Sequence, residues 1–163
     1  MVIVLRTDLR EADEVWIATA LLLRENPNRS DFTLIEIRDR ALQEAITDKL
    51  RPGVYRHARE HCVANLHPSA GRLRMLFATG RLTRRLYRDG DTYHPERQGY
   101  KTVPSREDIP TRYHYLVDWY LAEYTKQQPE KPEHDSILEL LGLGKGLWSD
   151  EDPDAYVRRL REE

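Results

Sequence analysis

The densest group of chemistry-bearing residues in this 163-residue chain is His57-Ala-Arg-Glu60-His61-Cys62. On a helix, two histidines four apart share a face and can hold one metal ion, with the intervening glutamate as general base. A small zinc-dependent hydrolase using His57, Glu60 and His61 is therefore one alternative. The pattern lacks a third ligand, however, and lies in the most cationic part of the chain. Its expected role is to meet phosphate with one ring and pack with the other. Cys62 falls on the inward stripe of the same helix and reads as core, not as a nucleophile. His67, His94, His114 and His134 show no ligand spacing with one another. Gly142-Leu-Gly144-Lys145-Gly146 lacks the spacing and the preceding strand of a phosphate loop. The expectation is a non-enzymatic protein without cofactor or metal.

A second chemistry is carried by charge. The whole chain has 26 Lys+Arg against 28 Asp+Glu, a net of −2. From Lys49 through Arg106, 13 basic residues face only four acidic ones, leaving that segment at +9 and the rest of the chain at −11. Eleven of those 13 cations are arginine, the side chain that combines phosphate contact with bidentate base reading. Charge concentrated in this way points to a nucleic-acid surface, with double-stranded DNA as the partner. The candidate DNA contacts are Arg56, His57 and Arg59, followed by Arg74, Arg81, Arg84, Arg85 and Arg88. Glu60 and His61 are secondary candidates for base reading.

The elements that must position these residues are legible from periodicity. Asp13–Glu25 is apolar nearly all round and reads as a buried helix, stopped by Asn26-Pro27-Asn28. Thr33-x-x-Glu36 is a capping box. The helix it opens carries Leu34, Ile37, Ala41, Leu42 and Ala45 as its stripe and is expected to end near Leu50. A third helix begins at Pro52 or Gly53, with Val54, Ala58 and Cys62 turned inward. Arg72–Ala78 and Leu82–Arg88 read as two strands joined through Thr79-Gly80, a hairpin ended by Asp89-Gly90-Asp91. Thr111–Tyr124 is an amphipathic helix with Tyr113, Leu116, Val117, Tyr120, Leu121 and Tyr124 on its stripe. Three helices followed by a basic hairpin is the order of a winged helix-turn-helix, in which the third helix enters the major groove and the wing grips flanking DNA. The fold class expected is mostly α with a β-hairpin wing (α+β), plus an extended C-terminal tail.

Thr125–Asp135 contains no aliphatic or aromatic residue and reads as a flexible linker. It divides the chain into a folded part at 1–124, a linker at 125–135 and a tail at 136–163. The tail returns apolar mass in Ile137, Leu138, Leu140, Leu141, Leu143, Leu147 and Trp148, and its last helix opens at Asp152-Pro153. A segment this small needs a partner surface.

Two resemblances add to this reading. Phe32–Pro104, with Val54-x-x-His57-x-x-x-His61-Cys62-Val63-Ala64-Asn65, then Arg74-Met75-Leu76-Phe77 and Gly90-Asp91, resembles winged-helix-like modules of prokaryotic defence and regulatory loci. In the tail, Leu143-Gly144-Lys145-Gly146-Leu147-Trp148 and Asp152-x-Asp154-Ala155-Tyr156-Val157-Arg158-Arg159-Leu160-Arg161-Glu162 resemble the C-terminal end of VapB-type antitoxins. Gly146 stands where that family commonly has Glu. The resemblance implies an antitoxin and autorepressor whose tail wraps a PIN-domain-like ribonuclease toxin. Leu147, Trp148, Tyr156 and Leu160 would be the apolar anchors, and Arg158, Arg159 and Arg161 the candidates for the toxin's acidic, metal-binding pocket. The family's usual DNA-binding domain is a small β-type one, so a winged helix would be a departure. A transcription regulator without a toxin, its tail serving dimerisation, is the alternative within DNA binding.

The hydrophobic fraction of 39% is below the roughly 45–50% of ordinary globular chains and the charged fraction of 33% is above the usual ~25%. The low hydrophobic fraction is located in part in a polar linker beside a folded domain. The single cysteine excludes an intramolecular disulfide. The first residues show no secretory pattern, and the longest apolar run, Val15–Leu23, is far shorter than the ~20 residues that cross a bilayer. A cytoplasmic, membrane-free homodimer is expected.

Overall fold

The apolar residues between Val15 and Leu23 leave no polar face, and helix α1 (Glu11–Glu25) is accordingly enclosed, with Trp16, Ile17 and Ala18 wholly buried. In the computed structural model, residues 9–47 and 51–127 are described. All belong to the first of two units, Met1–Pro129 and Glu130–Glu163. Asn26 ends α1 by donating its backbone and side-chain N–H groups to the Leu22 carbonyl, at 3.0 and 2.9 Å.

The capping box forms as expected. Thr33 Oγ1 accepts from the Glu36 N–H at 3.2 Å, and Glu36 accepts from the Thr33 N–H at 2.8 Å, opening α2 (Leu34–Glu44). Leu34, Ile37 and Ala41 are buried, whereas Leu42 is 52% exposed and Ala45 lies outside the helix. The helix stops at Glu44 because Ala45 takes a left-handed φ of 51°. The expected end near Leu50 is thus too late. Phe32–Thr33 forms a two-residue strand, β1, that periodicity could not reveal.

α3 (Pro52–Arg56) starts with Pro52 and continues as a π-helical turn over His57–His61. Val54, Ala58 and Cys62 are fully buried, as their spacing requires. The hairpin pairs β2 (Leu76–Ala78) with β3 (Thr83–Leu86), aligning Leu76 with Leu86 and Ala78 with Arg84. Its paired region is shorter than the two runs suggest. β1 pairs antiparallel with the other edge of β3, which gives the order β1-β3-β2.

The last stretch begins as a 3-10 turn (Thr111–Tyr113), becomes α4 (His114–Trp119), and loosens into a π turn (Tyr120–Tyr124). Tyr113, Leu116, Val117, Tyr120 and Tyr124 are buried, while Leu121 is exposed. Tyr120 stands edge-on to Trp16 at 5.6 Å and donates its hydroxyl to the Tyr87 carbonyl. Thr125, the first residue of the expected linker, is buried and accepts from the Asp89 N–H, so the folded part extends at least that far. The described unit is α+β, with helices packed on a small antiparallel sheet. Among the described residues, no helix is long and apolar enough to cross a membrane.

Candidate nucleic-acid interface

A helix ends with carbonyl groups that lack intrahelical partners. At the end of the third helix, each carbonyl from Ala58 to His61 accepts from a guanidinium. Arg84, from β3, donates Nε to Ala58 O at 3.2 Å and Nη2 to Arg59 O at 3.1 Å. Arg97, from the 3-10 turn Pro95–Arg97, donates Nη2 to Glu60 O and Nη1 to His61 O, both at 2.9 Å. The remaining donors are used as fully. Arg84 also reaches Gly80 O and Thr83 O, at 2.9 and 2.7 Å, and Arg97 reaches Leu66 O and Leu73 O, at 2.9 and 2.7 Å. Positive charge at a helix C-terminus also meets the negative end of the helix dipole. Burial pushes both guanidinium pKa values down, but a group that starts so high stays charged.

This arrangement changes the assignment of several arginines. Arg84 is 2% exposed and is turned inward. Arg85 is buried, bonded to both Asp91 carboxylate oxygens at 2.6 and 2.8 Å, and stacked over Phe77 at 4.4 Å. Burial alone would lower its pKa, and the hydrogen bonds and charge of Asp91 more than reverse that. Arg88 is buried over the Tyr124 ring at 4.8 Å. Arg84 and Arg88 thus hold the hairpin to the rest of the unit and Arg85 holds it to its own Asp91 turn, so the phosphate-gripping role expected of the three does not fit their placement.

Other cations do face outward. Arg56 and Arg59 lie exposed on the third helix, the Arg59 side chain at 61%, with Nε 3.4 Å from Glu60. Arg81 is exposed in the turn between β2 and β3. Arg84 Nη2 lies 3.1 Å from Arg59 O and 3.5 Å from Arg81 O, so one nitrogen brings the turn against the end of the third helix. Arg74 lies over the Tyr93 ring at 4.4 Å and donates Nε to Tyr100 O at 3.1 Å. Tyr93 and Tyr100 are exposed large aromatics that the sequence did not mark for this surface. Arg72 is also exposed, as is Arg106, which pairs with Asp118.

The two histidine rings of the H-x-x-E-H motif stand edge-on with centroids 4.9 Å apart, while their nitrogens meet different partners. His57 points Nε2 toward Glu11 at 3.7 Å and Nδ1 toward Cys62 Sγ at 3.5 Å. Glu60 faces Arg59, and His61 places Nδ1 3.2 Å from the Ser69 hydroxyl. Desolvation, then the neighbouring His61, holds His57 below its usual pKa. The sequence Glu11–His57–Cys62 has the order of a nucleophilic triad, but Cys62 is fully buried and its thiol pKa is pushed well up. A thiol without access or thiolate character is inert.

The toxin-contact candidates Leu147, Trp148, Tyr156, Arg158, Arg159, Leu160 and Arg161 lie outside the described residues. No protein-family model, curated protein or solved structure matches the chain.

Proposed function

We propose that this protein is a DNA-binding repressor whose described unit acts as a winged helix, and that its tail makes it an antitoxin. The observation that carries the DNA-binding reading is the Arg84 staple. It holds the hairpin turn, with exposed Arg81, beside the end of a helix that presents Arg56 and Arg59. The element order and the strand order β1-β3-β2 suit a winged helix, with the third helix in the major groove and the turn as wing. Cationic side chains on a rigid pair of elements can track phosphates at fixed spacing. The antitoxin part rests on the resemblance of Leu143–Glu162 alone.

Fluorescence anisotropy with labelled duplex DNA tests the interface. Affinity should fall with salt, log K against log salt having a slope of about −0.9 per phosphate neutralised. Replacing Arg56, Arg59 and Arg81 together by alanine should weaken binding and flatten the slope, with thermal stability unchanged. Binding that is indifferent to salt, or a triple variant with wild-type affinity, would overturn the reading.

A further inference from the structure

Two histidines that lie 27 positions apart in the sequence meet on the surface. His67, in the loop after the third helix, and His94, which caps the 3-10 turn Pro95–Arg97, have ring centroids 4.9 Å apart. Glu96 joins them, with Oε2 3.6 Å from His67 Nε2 and 4.0 Å from His94 Nδ1. One donor atom from each residue lies within 4.8 Å of the others. Their separation in the chain hid this set, since spacing along the sequence does not bring them together.

The backbone beneath the cluster is held at two places. The His94 N–H donates to Ala64 O at 2.8 Å, and Arg97 Nε donates to Leu66 O at 2.9 Å. Segment 64–67 and turn 94–97 are therefore tied together at two points beside the cluster, one tie being a fully buried guanidinium. Pro95 restricts the turn that carries Glu96.

We infer that His67, His94 and Glu96 form a binding site for a divalent transition-metal ion of the zinc class. Imidazole suits Zn²⁺, Ni²⁺ and Cu²⁺, whereas Ca²⁺ and Mg²⁺ require oxygen shells that two nitrogen donors do not supply. Zinc bonds of about 2.0–2.2 Å in a tetrahedron place donors roughly 3.3–3.6 Å apart. The 3.6 and 4.0 Å separations are close to that spacing. Three protein donors leave a fourth position to water. The Glu96 N–H contact with His94 Nδ1 is long, 3.3 Å, and metal coordination through that nitrogen would replace it. The site is separate from the His57–Glu60–His61 motif and does not depend on DNA binding.

Equilibrium dialysis of the full-length protein against Zn²⁺, with metal measured by mass spectrometry, tests the inference. Co²⁺ substitution monitored by visible absorption reports the coordination. The variants are His67→Ala, at a largely exposed position, and His94→Asn, which retains a capping oxygen. One site is expected in the wild type, weakened more than about tenfold in each variant, with thermal stability of the metal-free proteins unchanged. Cobalt should give an intense low-symmetry visible spectrum that both variants lose. Wild-type affinity retained in both variants, or no zinc uptake at micromolar free metal, would overturn the inference.

Discussion

The two buried guanidinium groups at the end of the third helix show how residue type alone can mislead. Arg84 and Arg97 lie in a segment of net charge +9, yet their donors are spent on main-chain carbonyls. Arginine suits this because its planar fork serves several acceptors from one position, whereas a lysine ammonium can offer three donors from a single point. Removing Arg97 would leave the carbonyls of Glu60, His61, Leu66 and Leu73 without that partner. An unsatisfied buried polar group costs about 1–3 kcal/mol, and partial hydration limits the sum. Arg97→Ala should therefore lose about 3–5 kcal/mol in urea unfolding. Arg97→Lys should recover only part of that, and exposed Arg81→Ala should stay within about 0.5 kcal/mol of wild type. Equal effects at Arg97 and Arg81 would contradict the stapling role.

At the scale of the element, the first turn of α1 explains how the third helix is seated. Its acids reach to other segments: Glu14 to Arg51 at 2.7 Å, Glu11 to His57 at 3.7 Å, and Asp13 to Lys101 at 3.9 Å. Carboxylates are favoured at a helix N-terminus, but Asp13 is wholly buried and neither of its side-chain oxygens has a hydrogen bond. Burial raises its pKa above 3.8, and Lys101 opposes that only in part. The folded state therefore holds this proton to higher pH than the unfolded chain does. Between the two pKa values the native state binds more protons, so this group's contribution to stability falls as pH rises from about 3.8. Asp13→Asn should be more stable than wild type at pH 7, and the gain should shrink as pH approaches 3.8 from above. Urea midpoints for both proteins across that range measure it, and a gain independent of pH would refute the assignment. α1, the Thr33–Glu36 box and the Val54/Ala58/Cys62 stripe were legible in the sequence because each is set by neighbours within a few positions. β1 was not, since two residues carry no period. The inward turn of Arg84, Arg85 and Arg88 and the meeting of His67 with His94 were also hidden, because they depend on long-range packing.

Across the whole molecule, the net charge of −2 combines parts of opposite sign. Residues 1–129 contain 21 basic and 18 acidic side chains, a net of +3, while residues 130–163 contain five and ten, a net of −5. Among the described residues the core cluster runs from Leu9 to Tyr124, so a protein ending at residue 129 keeps that core and should fold. If the exposed arginines bind duplex DNA, the acidic segment opposes approach to phosphate in the full chain. Such long-range repulsion is screened over about 10 Å at 0.1 M salt and extends further at lower ionic strength. Deleting 130–163 should therefore tighten binding most at about 50 mM salt, and the two forms should converge as ionic strength rises. The full-length protein should show the shallower salt dependence, because part of its electrostatic attraction is cancelled at low salt. Anisotropy titrations of both forms on one duplex measure this directly. Weaker binding by the truncated form would mean that residues 130–163 assist DNA binding, as a dimerising tail would, and would favour a regulator over an antitoxin.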